Sequence, residues 1–225
     1  MLANRAREPR CVALIADIVK SRTFVGRDRQ RLQERLSALV ADQNRKRKHA
    51  LLSRFVITVG DEFQALFKDP TVLPDVVWDL EEGLAPADIR LGLGLGSLET
   101  ALRRDAIGMD GPAWHFARTA LEFSKAKRLH GGVFRGFGDR DDAILGGLAR
   151  LLRNMRERLS LKQTAIFTEL RKENKQLAVA ERLRITKQVV NRQAKVAGWD
   201  AYSEGEGALR KALGLFDYSS VWKAR

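Results

Sequence analysis

Two apolar runs that each end on a carboxylate constrain this chain most strongly. The first covers residues 11–16 and stops at Asp17, and the second covers residues 55–59 and stops at Gly60-Asp61. Short apolar runs rich in β-branched and aromatic residues predict buried strands. Gly60 permits the tight turn of a hairpin that leads into a further strand. We therefore expect both acids at strand ends.

If these two strands are neighbours in a sheet, Asp17 and Asp61 converge. Carboxylates that lie close together repel each other unless a cation lies between them. Oxygen ligands of this kind suit Mg²⁺ or Mn²⁺ held together with substrate phosphates. The alternative is structural, because Asp often ends a strand and begins a turn. Because the pattern of the following segments agrees with it, we interpret the pair as a candidate site for a nucleotide and a metal ion.

The later patterns predict an alternating order of strands and helices. Apolar residues at helical spacing predict a helix over 27–44, a second helix over 72–84 follows the hairpin, and a strand over 89–96 comes next. The order βαββαβ is that of the ferredoxin-like fold, an antiparallel sheet with both helices on one face. The predicted fold class is α+β, with a third helix over 113–127.

Gly92, Gly94 and Gly96 alternate along the predicted strand 89–96. A dinucleotide-binding fingerprint opens a helix after a strand, so glycines that alternate within a strand do not indicate one. Alternating glycines clear one face of a strand for a closely packed helix or for a base and sugar. Both options stay open from the sequence.

The chain of 225 residues has a net charge of +13, most of it in the C-terminal third. Residues 150–225 contain 17 Lys and Arg against 8 Asp and Glu, a net of +9, and the preceding residues contain 24 against 20, a net of +4. A basic surface favours a polyanion partner such as nucleic acid. The separate basic run 45–48 is more typical of a solvated helix end than of a binding site.

Targeting and redox signals are few. No apolar run approaches the roughly 20 residues of a membrane span, and the N-terminus lacks the apolar core of a signal peptide. A cytoplasmic protein with no membrane partner is expected. Cys11 is the single cysteine, so no intramolecular disulfide forms, and the three histidines show no metal-ligand spacing with it. Zinc is not expected.

Two short helices are predicted near the C-terminus. Residues 175–183 form an amphipathic helix, Arg184-Ile185 a tight break, and Thr186 an N-cap for a second helix that Gly198 closes. This is helix-turn-helix spacing, although an ordinary helical hairpin has the same apolar pattern. The outer side of the second helix has residue types that contact base edges and phosphates: Thr186, Lys187, Gln188, Asn191, Arg192 and Lys195. With the local basic excess, we favour DNA as the partner.

Four segments resemble the SatD family over nearly the whole chain. They are the run from Asp17 to Arg22, the run from Val59 to Phe63, the glycine strand, and residues 109–118. The strand and helix order is also similar to class III nucleotidyl cyclase and GGDEF domains, which place two metal-binding acids at the end of the first strand and at the hairpin.

The resemblance implies a metal site and a nucleotide site. Asp17, Asp61 and the carbonyl of Ile18 match ligands of Mg²⁺ or Mn²⁺. The residues that would contact the nucleotide are Ser21, Arg22, Gly60, Glu62, His115 and Arg118. His115 stands where cyclases have an Asn, and Arg118 lies one position before their Arg. Nucleotide binding is therefore a stronger implication than cyclisation.

The predicted organisation is a cyclase-like palm over 8–138, a linker helix over 139–158 and a helix-turn-helix domain over 159–225. The predicted function is DNA-binding transcriptional regulation by a homodimer, with a palm that binds a nucleotide and a divalent metal as a sensor, pairs the two chains, or does both. One alternative is an active Mg²⁺- or Mn²⁺-dependent nucleotidyl cyclase or nucleotidyltransferase. A further alternative is a scaffold whose palm only dimerises.

Overall fold

Five strands form one mixed sheet in the computed structural model, which describes residues 9–216 and Tyr218. The strands are β1 (Cys11–Ile18), β2 (Leu51–Ile57), β3 (Glu62–Phe67), β4 (Ile89–Gly96) and β5 (Val133–Arg135). Their order in the sheet is β2-β3-β1-β4-β5. β5 is parallel to β4, and the other neighbours are antiparallel.

Eight α-helices accompany the sheet within the described residues. They are α1 (Gly26–Lys46), α2 (Leu73–Leu84), α3 (Pro112–Lys127), α4 (Asp139–Glu157), α5 (Leu161–Lys172), α6 (Gln176–Leu183), α7 (Lys187–Val196) and α8 (Trp199–Gly214). The predicted α+β class is confirmed. None of these helices is long and apolar enough to cross a membrane.

The described residues separate into two compact units. The first comprises the chain up to Arg150 together with the segment that begins at Leu209, and the second comprises Leu151–Ala208. α4 and α8 each contribute residues to both units. The predicted functional boundaries at residues 138 and 158 stay predictions.

The three alternating glycines of β4 bring the backbone of α3 onto the sheet. A Cβ atom at Gly92 or Gly94 would lie less than 3.0 Å from backbone atoms of Ala117, a distance that real Cβ atoms essentially never show. The helix backbone therefore occupies the space that a side chain would need. Of the two options left open by the sequence, close helix packing is the one observed.

β1 lies at the centre of the sheet and is buried on both faces. On the α3 face, Cys11, Ala13 and Ile15 belong to one apolar cluster with Ala117 and Leu121. Burial raises the pKa of the Cys11 thiol to about 12, so this group is a protonated core residue at neutral pH. Because side chains alternate along a strand, the next residue on the α3 face is Asp17.

Candidate functional site

Asp17 is the last residue of β1 whose side chain faces α3, and a cation of α3 lies beside it. In the sheet it lies opposite Glu62 of β3 and Arg90 of β4. Its Oδ2 atom is 3.1 Å from the Nζ atom of Lys125. Its Oδ1 atom is buried and has no hydrogen-bond partner among the described residues. One carboxylate oxygen is therefore neutralised by Lys125, and the other has no partner in the described part of the chain.

Glu62 and Arg118 form an ion pair with two hydrogen bonds at the same end of the sheet. The two terminal nitrogens of Arg118 donate to the Glu62 carboxylate at 2.6 and 2.7 Å. The hydrogen bond from Arg118 holds the pKa of Glu62 below its ordinary value, and the same bond raises the pKa of Arg118. The pair is consequently ionised at neutral pH.

Lys125 also stays protonated. Burial lowers the pKa of Lys125, but the hydrogen bond and charge of Asp17, together with Glu122, outweigh burial and hold the pKa above its ordinary value. The sequence-based prediction missed this residue. Lys125 follows Arg118 by seven positions, which places both on one side of α3. That helical spacing is the signal that could have identified it.

Asp61 lies in the turn between β2 and β3, next to Gly60, whose φ is 67°. Gly60, Asp61, Ile18 and Ser21 contribute to the lining of one small recess beside α1. The volume of this recess is about 10 Å³, close to the space that one water needs. It has room for a water or a bare ion, and a nucleotide would have to lie outside it.

The predicted metal and nucleotide residues thus fall into separate groups. Asp17, Glu62 and Arg118 share the ion-paired end of the sheet, whereas Ile18, Ser21, Gly60 and Asp61 share the recess. His115 is exposed, with its Nε2 atom 2.8 Å from Asp110 Oδ1, and Arg22 is exposed. In the described part of the chain, no group of three or more His, Cys, Asp or Glu side chains is placed to hold a metal ion.

In the second unit, three residues join α6 to α7: Arg184, Ile185 and Thr186. Arg184 has φ 54° and ψ 45°, a left-handed conformation that ends α6 and turns the chain. The Thr186 hydroxyl accepts a hydrogen bond of 3.3 Å from the Val189 N–H group. This is the N-cap that the sequence predicts for α7.

α7 has one buried and one exposed face. Val190 and Ala194 are buried, as are Val179 and Ala180 of α6. The predicted DNA-contacting residues are all exposed: Thr186, Lys187, Gln188, Asn191, Arg192 and Lys195. Apart from the capping Thr186, their side chains make no hydrogen bond or ion pair with any other described residue.

The remaining helices of the second unit supply an aromatic interior. Phe167 of α5 packs against Trp199 and Tyr202 of α8, with ring centroids 5.0 and 5.4 Å apart. Arg171 of α5 pairs with Glu206 of α8. α5 and α8 are thus joined by packing and by charge within the unit that presents α7.

Together these features define an α+β protein with an ion-paired acidic strand end and, in a second unit, an exposed basic helix. The sequence model described as the SatD family matches residues 11–206, which is most of the chain. The protein belongs to the SatD family, as its motifs predict. No curated protein matches the chain.

Several solved structures are similar to the chain. One, titled as the structure of a bacterial light-regulated adenylyl cyclase, is similar over 57% of this chain and 44% of its own chain. The sequence identity is 15% and the TM-score is 0.39. The chain therefore spans less than half of that structure's length. At this level of similarity no conclusion about activity follows.

Proposed function

We propose that this protein is a DNA-binding regulator in which α6 and α7 form a helix-turn-helix and α7 is the recognition helix. The observation that carries the proposal is the outer face of α7, where exposed Lys, Arg, Gln and Asn side chains lack partners among the described residues. The three-residue turn and the capped start of α7 have the form of this motif. As part of the same proposal, the first unit is a ferredoxin-like palm.

The exposed residues of α7 form one stripe. Lys187, Asn191 and Lys195 are spaced by four residues, so they lie on the same side of the helix over about 12 Å. Gln188 and Arg192 lie beside them at the same spacing. Cations of this stripe suit phosphates, and the amides of Gln188 and Asn191 suit the adenine edge in the major groove. A helix of this chemistry fits DNA better than it fits an apolar protein surface.

Binding of the 225-residue chain to a labelled duplex of mixed sequence tests the proposal. Several phosphate contacts release counterions, so affinity is expected to fall by orders of magnitude between roughly 50 and 200 mM salt. Fluorescence anisotropy across a salt series measures this slope. If the folded chain does not bind, or binds with an affinity that salt does not change, α6 and α7 are a protein-interaction element instead.

A second candidate function is Mg²⁺-dependent nucleotide binding in the first unit. The observation that favours it is the unpartnered, buried Oδ1 atom of Asp17, together with the ion-sized recess beside Asp61. Mg²⁺ usually takes only one or two carboxylates together with substrate phosphates, so a third acid is not required. Asp17 lies outside the recess and is paired with Lys125, so it would have to turn from Lys125 to hold the ion together with Asp61 and the Ile18 carbonyl. When bound, such an ion neutralises and orients substrate phosphates.

Two cations of α3 lie at this candidate site and already have acidic partners. Lys125 neutralises Asp17, and Arg118 neutralises Glu62. A bound triphosphate would compete with these two acids for the same cations, because phosphate oxygens form comparable charge-assisted hydrogen bonds. Nucleotide binding therefore requires Lys125 and Arg118 to exchange their carboxylate partners for phosphates.

Isothermal titration with ATP or GTP, in Mg²⁺ and in EDTA, tests this second function. We expect binding in Mg²⁺ only, and we expect Asp17→Asn or Asp61→Asn to abolish it by removing a ligand charge. Asp28→Asn, an exposed change in α1, is the matched control and should bind as the unmodified chain does. Equal binding in EDTA would contradict the proposal. Nucleotide turnover with Mn²⁺ would instead support the nucleotidyl cyclase or nucleotidyltransferase alternative.

A further inference from the structure

A basic cavity lies in the first unit between the end of α1, strand β2 and the loop before α3. Its volume is about 390 Å³. Four cationic side chains line it: Arg45, Lys48, Arg54 and Arg104. None of the described lining residues is acidic, and the lining includes the apolar side chains of Leu51 and Leu52. The cavity therefore combines an apolar wall with several positive charges.

The backbone fixes the elements that carry these cations. The Arg54 N–H group donates to the Arg104 carbonyl at 2.8 Å, and the Ala106 N–H group donates to the Arg54 carbonyl at 3.0 Å. The Asn44 side chain bonds both the N–H group and the carbonyl of Phe55, at 2.7 and 3.0 Å, and so ties α1 to β2. Helix end, strand and loop are thus held together by hydrogen bonds that do not involve the cationic groups themselves.

The charges in the cavity are largely uncompensated. Arg45 pairs with Asp42 at 2.5 Å, whereas Lys48, Arg54 and Arg104 form no side-chain ion pair with any described residue. Like charges around one cavity repel each other, and an anion between them removes that repulsion. Within the basic run 45–48, Lys46 and Arg47 instead pair with acids of the first unit.

We propose that this cavity binds a small anion that carries several linked phosphates, such as a nucleoside triphosphate, without a metal ion. Its volume lies in the range of small-molecule sites. Guanidinium groups bind phosphate oxygens with two hydrogen bonds each, and Arg54 and Arg104 have no carboxylate partner among the described residues. The cavity shares no lining residue with the recess at Asp61, and its lining includes no residue of α7, so this proposal does not depend on either proposed function.

Titration of the 225-residue chain with inorganic triphosphate in EDTA tests the cavity directly. We expect saturable binding, and we expect Arg54→Gln with Arg104→Gln to weaken it by about tenfold or more per arginine. Lys48 is exposed and lies just after α1, outside the strand and the loop that carry the two arginines. Lys48→Gln should therefore also weaken triphosphate binding. The matched controls are Arg103→Gln and Lys46→Gln, because each is an exposed neighbour of a lining cation but does not line the cavity itself.

Further titrations distinguish this cavity from other sites in the protein that could bind phosphates. Asp17→Asn should leave triphosphate binding in EDTA unchanged, because it lies in the other candidate site. ATP should bind at least as well as inorganic triphosphate if the apolar wall contacts a nucleoside. Absence of triphosphate binding, or equal loss in the Arg103 and Lys46 controls, would overturn the proposal. The proposal would also be overturned if substitutions of the lining residues weakened binding to duplex DNA but not to triphosphate, because the cavity would then be part of a DNA-binding surface.

Discussion

Gly94→Ala is expected to destabilise the first unit by about 3 kcal/mol or more, at the upper end of what one added methyl group costs in a packed interior. The new Cβ atom would lie less than 3.0 Å from backbone atoms of Ala113 and Ala117. Helix backbone cannot turn aside as a flexible side chain can, so α3 would have to move away from β4. The apolar cluster that includes Ala117 and Leu121 would lose contacts with the sheet as a result.

Urea denaturation followed by circular dichroism measures this loss. Gly147→Ala is the matched control, because Gly147 lies in α4 and a Cβ atom there meets no atom of the described residues within 4 Å. In a helix, that control should gain about 0.5–1 kcal/mol through reduced backbone entropy. If Gly94→Ala unfolded at the same urea concentration as the unmodified chain, the close packing of α3 against β4 would be contradicted.

Replacing Lys187, Arg192 and Lys195 together by alanine is expected to weaken binding to any duplex by about a hundredfold at low salt. Each lost phosphate contact should also reduce the slope of log affinity against log salt by about one. All three side chains are exposed and make no ion pair with other described residues, so the helix itself should remain folded. Anisotropy with a labelled duplex, across a salt series, gives both quantities.

A change in net charge alone would also weaken DNA binding, and a second triple variant controls for it. Arg27, Arg103 and Lys127 are exposed residues of the first unit, and their replacement by alanine removes the same charge. This control should bind DNA with a much smaller loss and an unchanged salt slope. If both triple variants lost affinity equally, α7 would have no special role in DNA binding.

Local patterns in the sequence predicted most of the elements of this fold. The strand over 89–96 has the bounds of β4, and the N-cap at Thr186 precedes α7 as expected. Such features depend on residues close in the chain: side-chain alternation, helical spacing, a capping hydroxyl or a turn glycine. The same patterns identified Asp17 and Asp61 as strand-end acids, because the end of an apolar run is visible in the sequence.

Partners across the fold could not be predicted in this way. Lys125 approaches Asp17 from α3, and Arg118 of the same helix pairs with Glu62 rather than standing free for a ligand. Which of these contacts form depends on how closely α3 packs on β4. The glycine face of β4 permits a close approach, but it does not specify which element packs there. The alternating glycines were visible, but the helix that covers them was not.

The sequence by itself determined strands β1 to β4, helices α1 to α4, α6 and α7, the strand-end acids and the polar stripe of α7, because each follows from short-range spacing and backbone preference. It did not predict β5, α5 or α8. Only the tertiary structure decided the charge partners of Asp17 and Glu62 and the cavity lined by Arg45, Arg54 and Arg104. Those arrangements join residues far apart in the chain. Their Coulomb energy and steric fit exist only once packing has set the distances between the elements that carry them.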